Sequence, residues 1–123
     1  MRNNDPAVSV GEGAGYVDLY LLPVREDAID AYRRQATTFG QVVREHGALS
    51  YREFRGDDPG EGMGADDGEV MTAAVAEFVS RSHRDEVMAR VMEDPRVTEA
   101  LDQEPVADMS RMRYGGFGIL VSA

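Results

Sequence analysis

A chain of 123 residues with a formal charge of −10 and no cysteine can bury one hydrophobic core, but it offers no disulfide framework, thiol chemistry or cysteine-based zinc site. All 13 basic residues are arginine, so a lysine Schiff base and a Walker-type phosphate lysine are excluded as well. The acidic balance argues against nucleic acid and anionic membrane as partners, no apolar run reaches the roughly 20 residues of a spanning helix, and an unbridged domain without a secretory apolar core points to the cytoplasm.

Residues 1–14, with Asn, Asp, Pro and separated glycines, read as a flexible tail ahead of a single domain over 15–123. "GYVDLYLLPV" then alternates, with Val17, Leu19 and Leu21 on one face and Tyr16, Asp18 and Tyr20 on the other, as in a half-buried strand ended by Pro23. In "REDAIDAYRRQATTFGQVVREHG", Ile29, Tyr32, Ala36, Phe39, Val43 and His46 recur at steps of three and four, which is one face of a helix. Acidic residues crowd its start and Gly47 is a natural stop. "ALSYREFR" is a second strand, "GDDPGEGMGADDG" an acidic loop, and Val70 to Val79 a third strand. The loop lacks the alternating carboxylates and closing glutamate of a calcium-binding EF-hand. "SRSHRDEVMARVMEDPR" is a second helix, capped by Ser80 or by a Ser82–Asp85 box. Asp94-Pro95 closes it and starts a short further turn through Leu101, and "RMRYGGFGILV" is a fourth strand.

The order β-α-β-β-α-β is the ferredoxin-like arrangement: an α+β fold with an antiparallel four-stranded sheet and both helices on one side. The wholly apolar set Val17, Leu19 and Leu21 is expected to face those helices, together with Phe117, Ile119 and Val121 of the last strand. That leaves Tyr16, Asp18, Tyr20, Met112 and Tyr114 on the second face, an aromatic and ionisable surface suited to a partner or ligand. Two such faces packed together make a homodimer, a dimeric α/β barrel, with a partly polar cavity. On the second strand either Ser50, Arg52 and Phe54 or Tyr51 and Glu53 look inward; Arg52 is preferred, as a counter-ion for the acidic cavity.

"REHGALSYREFRGDD", "SRSHRDEVMARVMEDPR" and "RMRYGGFGILVSA" together resemble the YbaA-like family of small bacterial proteins, a domain of unknown function in the dimeric α/β-barrel superfamily. The resemblance runs from about Tyr16 onward. It implies the ferredoxin-like fold and the face-to-face dimer, but no reaction and no catalytic residues. Two departures stand out: the loop after the second strand is shorter and more acidic than the family's, and the family's lysines are missing.

The candidate chemistry is therefore read from the residues alone. Asp18, Tyr114 and His83 are the candidate catalytic groups. Tyr16, Tyr20, Arg52 and Met112 are the candidate ligand-binding ones, with Arg52 orienting the anionic group of an acidic or phenolic molecule. His83 and His46 also have structural readings at helix ends, and their spacing is not that of metal ligands. No metal and no cofactor is expected. The resulting expectation is a small organic ligand, aromatic or polyketide-like, in a cavity between sheet and helices. Its chemistry, if any, is that of a cofactor-independent oxygenase, isomerase or cyclase. The rival is a non-catalytic stress-response or protein-interaction module whose second face serves only dimerisation.

Overall fold

A computed structural model describes residues 13–58, 60, 63 and 65–123. The expected tail lies outside the described residues up to position 12, but Ala14 is already buried and the Gly15 N–H donates to the carbonyls of Phe78 and Val79. The packed unit thus includes Ala14.

Four strands, β1 (Tyr16–Arg25), β2 (Ser50–Arg55), β3 (Glu69–Phe78) and β4 (Arg113–Gly118), form one antiparallel sheet in the order β2-β3-β1-β4. With α1 (Ile29–Glu45) between β1 and β2, and α2 (Arg81–Val91) and α3 (Pro95–Leu101) between β3 and β4, this is the ferredoxin-like topology. Short 3₁₀ turns at Glu26–Ala28 and Met109–Arg111 precede α1 and β4. None of the helices among the described residues is long and apolar enough to cross a membrane.

β1 does not end at Pro23; it continues to Arg25. Pro23 sits opposite Met71, whose carbonyl accepts from the N–H of Gly56 just after β2, so the two face each other at a position without mutual hydrogen bonds. The side of Pro23 that lacks an N–H then points away from β3, beyond the last β4 pairing at Leu21–Arg113. The last strand is shorter than its pattern suggests, leaving Ile119, Leu120 and Val121 exposed beyond it.

The helices begin and end where local chemistry directs. The Ser80 hydroxyl accepts the His83 N–H at 3.1 Å, the first of the two capping options, and Asp94 caps α3 through the Arg96 N–H at 2.9 Å. Gly47 follows α1 at φ +123°, a conformation that side chains resist. Between helices and sheet lies a core of Val42, Val43, Ala48, Ala76, Phe78, Val87, Val91 and Val97.

One expectation is reversed. The helices cover Tyr16, Asp18, Tyr20, Leu22 and Val24, while Val17, Leu19 and Leu21 lie on the opposite face, which is open except at its Pro23–Met71 end, where both residues are buried. The register carries this across the sheet: Tyr114 and Gly116 share the helix side with Tyr20 and Asp18, whereas Phe117 joins Val17 on the open side. The physical reason is Asp18, which is 4% exposed and is paired on the helix side with Arg84 of α2. The most apolar set is left to the face that this chain does not itself cover.

Candidate functional site

Two polar clusters sit between the sheet and its helices. In the first, Asp18 is flanked across the sheet by Ala76 and Gly116, small neighbours that leave room for a long side chain from above. Arg84 enters from α2, one turn before Val87 on the buried side of the helix. Its Nη1 lies 2.5 Å from Asp18 Oδ1 and its Nε lies 2.8 Å from Asp85. The guanidinium also rests 5.1 Å from the Tyr16 ring centre, with the Tyr16 hydroxyl 3.4 Å from Nη2. Tyr16 in turn crosses Gly116, where a Cβ would come within 2.1 Å of the phenol oxygen. The Tyr20 hydroxyl donates weakly to Asp18 at 3.4 Å, and Tyr114, 75% exposed, stacks on Tyr20 at 6.0 Å. Burial pushes the Asp18 carboxyl above its ordinary range against the pull of Arg84. Burial, then the neighbouring Asp18 charge, pushes the Tyr20 phenol up in the same way.

The second cluster centres on Glu53. Tyr32 of α1 donates to its Oε1 at 2.6 Å, and Tyr51 of β2 donates to Oε2. Burial first, then these bonds to the carboxylate, raise both phenols, so both remain protonated donors at neutral pH. The Tyr51 ring lies directly on Gly40 of α1, where a Cβ would approach it to 2.6 Å. Beside this cluster a groove of about 280 Å³ opens between α1 and β2. Its walls are Ile29, Tyr32, Arg33, Ala36 and Thr37 from the helix side and Tyr51, Glu53, Phe54, Arg55 and Thr72 from the sheet. Ala74 of β3 separates Glu53 from Tyr20 in one row across the sheet.

Of the residues singled out from the sequence, Tyr16, Asp18, Tyr20 and Tyr114 are brought together, on the helix side rather than on the second face. Met112 is half-buried just ahead of β4. Arg52 stands apart: with Ser50 and Phe54 it lies on the open face, its guanidinium 5.6 Å from the Phe54 ring centre. His83 accepts the Val79 N–H on Nδ1 at 2.9 Å and meets Phe78 edge-on, so its ring is engaged at the entrance of α2 and not with Asp18. His46 bonds Asp94 at 3.0 Å.

Sequence reasoning missed Arg84, Tyr32 and Glu53 as site residues. Arg84 carried a signal: it precedes Val87 by three positions on a buried stripe, where an arginine needs a carboxylate. The contact between Tyr32 and Glu53 carried none, because it depends on how α1 lies over β2.

The family described as "Protein of unknown function (DUF1428)" matches residues 15–108. The uncharacterized protein YbaA of Escherichia coli (strain K12) is 32% identical over 114 residues, 86% of this chain and 97% of that protein, and YbaA of Shigella flexneri gives the same values. Among solved structures, Rv0793 from Mycobacterium tuberculosis has a TM-score of 0.61 over 89% of this chain and 99% of that one, at 15% identity, which is a likeness of fold alone. Sequence match and topology agree with the resemblance drawn from the three segments, and the chain belongs to the YbaA-like DUF1428 family, a family of unknown function.

Proposed function

We propose that this chain forms a homodimer through its open sheet face and that each copy holds a small organic molecule in the groove between α1 and β2. Glu53 carries the reading: a half-buried carboxylate gripped by two phenols beside an open volume is chemistry that plain packing does not require. A volume of about 280 Å³ suits a ligand at the small end of the usual range, and the rings of Tyr32 and Tyr51 favour an aromatic body. Catalysis extends this reading: Asp18, with Tyr114 and Tyr16 nearby, is the proton-transfer group of a cofactor-independent oxygenase, isomerase or cyclase. That step needs the substrate to reach the β1–β4 half of the interlayer. His83 is not assigned a part in it, since Val79 occupies its Nδ1.

Native mass spectrometry of the purified protein tests the reading together with an Ala36→Phe variant, which fills the groove from the helix side. The expected result is a dimer with a bound mass, and saturable binding of small aromatic molecules that A36F abolishes. Binding that survives A36F defeats the groove. The rival reading, an interaction module without a ligand, is favoured by the pairing of Asp18 with Arg84, which satisfies that buried charge within the chain. A dimer that binds none of the molecules offered supports it.

A further inference from the structure

Among the described residues, no arginine lies against the Glu53 carboxylate. Its neighbours in sequence are cationic but committed elsewhere: Arg52 is on the open face over Phe54, and Arg55 is bound to Glu26. Arg33, on the helix wall of the groove, pairs with Asp30 at 3.2 Å. What reaches Glu53 is two neutral hydroxyls, from Tyr32 and Tyr51.

The two arginines of the groove walls, Arg33 and Arg55, are thus each held by a carboxylate outside the walls, and Glu53 is the charged wall residue held by neutral hydroxyls alone. An ionised carboxylate offers about four acceptor positions, and two phenols take about two of them, so a ligand can still be bound. Around it stand two aromatic rings and, from α1, the apolar side chains of Ile29 and Ala36. A carboxylate with two aromatic residues beside it, next to an open and partly apolar volume, recognises a positively charged nitrogen on an organic body. The charge of −10 on the whole chain draws cationic ligands toward it.

We propose that the groove between α1 and β2 takes a small organic cation, an amine with an apolar or aromatic body, whose ammonium donates to Glu53. This rests on the groove reading above and narrows it. It also reverses the sign expected from the sequence, because the arginine that was to orient an anion lies on the other face of the sheet.

Three probes of matched shape test it on the full chain by NMR titration at neutral pH: phenethylammonium, 2-phenylethanol and 3-phenylpropionate. Phenethylammonium is expected to bind about tenfold more tightly than the alcohol, the worth of one charge-assisted hydrogen bond, and the carboxylate most weakly. Glu53→Gln keeps an oxygen for the phenols; it should bring the ammonium down to the level of the alcohol and leave the alcohol unchanged. Tyr51→Phe, which keeps the ring, should preserve the preference for the ammonium. Tighter binding of 3-phenylpropionate, or ammonium binding indifferent to E53Q, overturns the charge assignment and leaves the groove standing. Failure of all three probes to bind overturns the groove and this assignment together.

Discussion

Arg84 and Asp18 stand 66 residues apart in the chain, yet each is the partner that lets the other be buried. Removing one member of such a pair leaves a charge without compensation, which costs far more than the pair contributes. Arg84→Ala is expected to lower the unfolding free energy by about 3 kcal/mol, toward the low end of that class because the guanidinium is partly exposed. Asp18→Asn, which removes the charge that needs a partner, should cost less. Urea denaturation reads both, and a loss below about 1 kcal/mol for Arg84→Ala would place the pair with ordinary surface bridges. Gly40 gives a second test. A helix-interior Gly→Ala change normally stabilises by about 1 kcal/mol. Here the new methyl meets the Tyr51 ring at 2.6 Å, so Gly40→Ala should instead destabilise by about 1–3 kcal/mol and disturb the Tyr51 ring signals in NMR spectra. Asp18 was legible in the sequence as a lone charge in an apolar strand. The Glu53 cluster was not, since Tyr32 lies 21 residues away and the angle of α1 over β2 has no local signal.

Helix ends were the most legible elements, because a cap is a local event: Ser80 and Asp94-Pro95 act within three residues of their position in the chain. What joins one element to another was hidden. Asp94 also binds His46 at the end of α1 and Arg96 of α3, which reaches Glu45 at 2.9 Å, so one carboxylate fastens two helices. Its hydrogen bond from Arg96, then that from His46, holds Asp94 well below the ordinary carboxylate range, and Arg96 lowers Glu45 as well. A depressed carboxyl stabilises the fold above its unfolded value and loses that effect as pH falls through its folded one. The clasp should therefore be complete at neutral pH and weaken as pH falls below about 3.8, the ordinary value for aspartate. Asn is as good a cap as Asp, so Asp94→Asn isolates the charge. It should lower the melting temperature at pH 7 and reduce the further fall between about pH 4 and pH 2, followed by circular dichroism. Asp18 has the opposite sign: its raised carboxyl favours the fold at low pH, and that contribution declines as pH rises.

At the scale of the whole molecule, alternation in β1 showed that the two sheet faces differ but not which one meets the helices, since both carry large apolar residues. The open face exposes Leu19, Phe54 and Phe117 beside Val17, Leu21 and Val75. A charge at its centre is incompatible with the proposed face-to-face packing, so Leu19→Asp should give a monomer by sedimentation velocity where the parent protein gives a dimer. The parent protein should melt at a temperature that rises with its concentration, and the variant should not. β1 has a further property that matters before two copies ever meet. Leu22 and Val24 point one way, Leu19 and Leu21 the other, so apolar burial scarcely distinguishes the strand from its own flip. Asp18 breaks that near-symmetry. Turned inward it meets Arg84; turned outward it would lose that partner and place a carboxylate on the apolar face through which the dimer is proposed to form. The ion pair thereby acts as a proofreader of strand orientation: a flipped strand would carry an uncompensated charge on its own apolar surface.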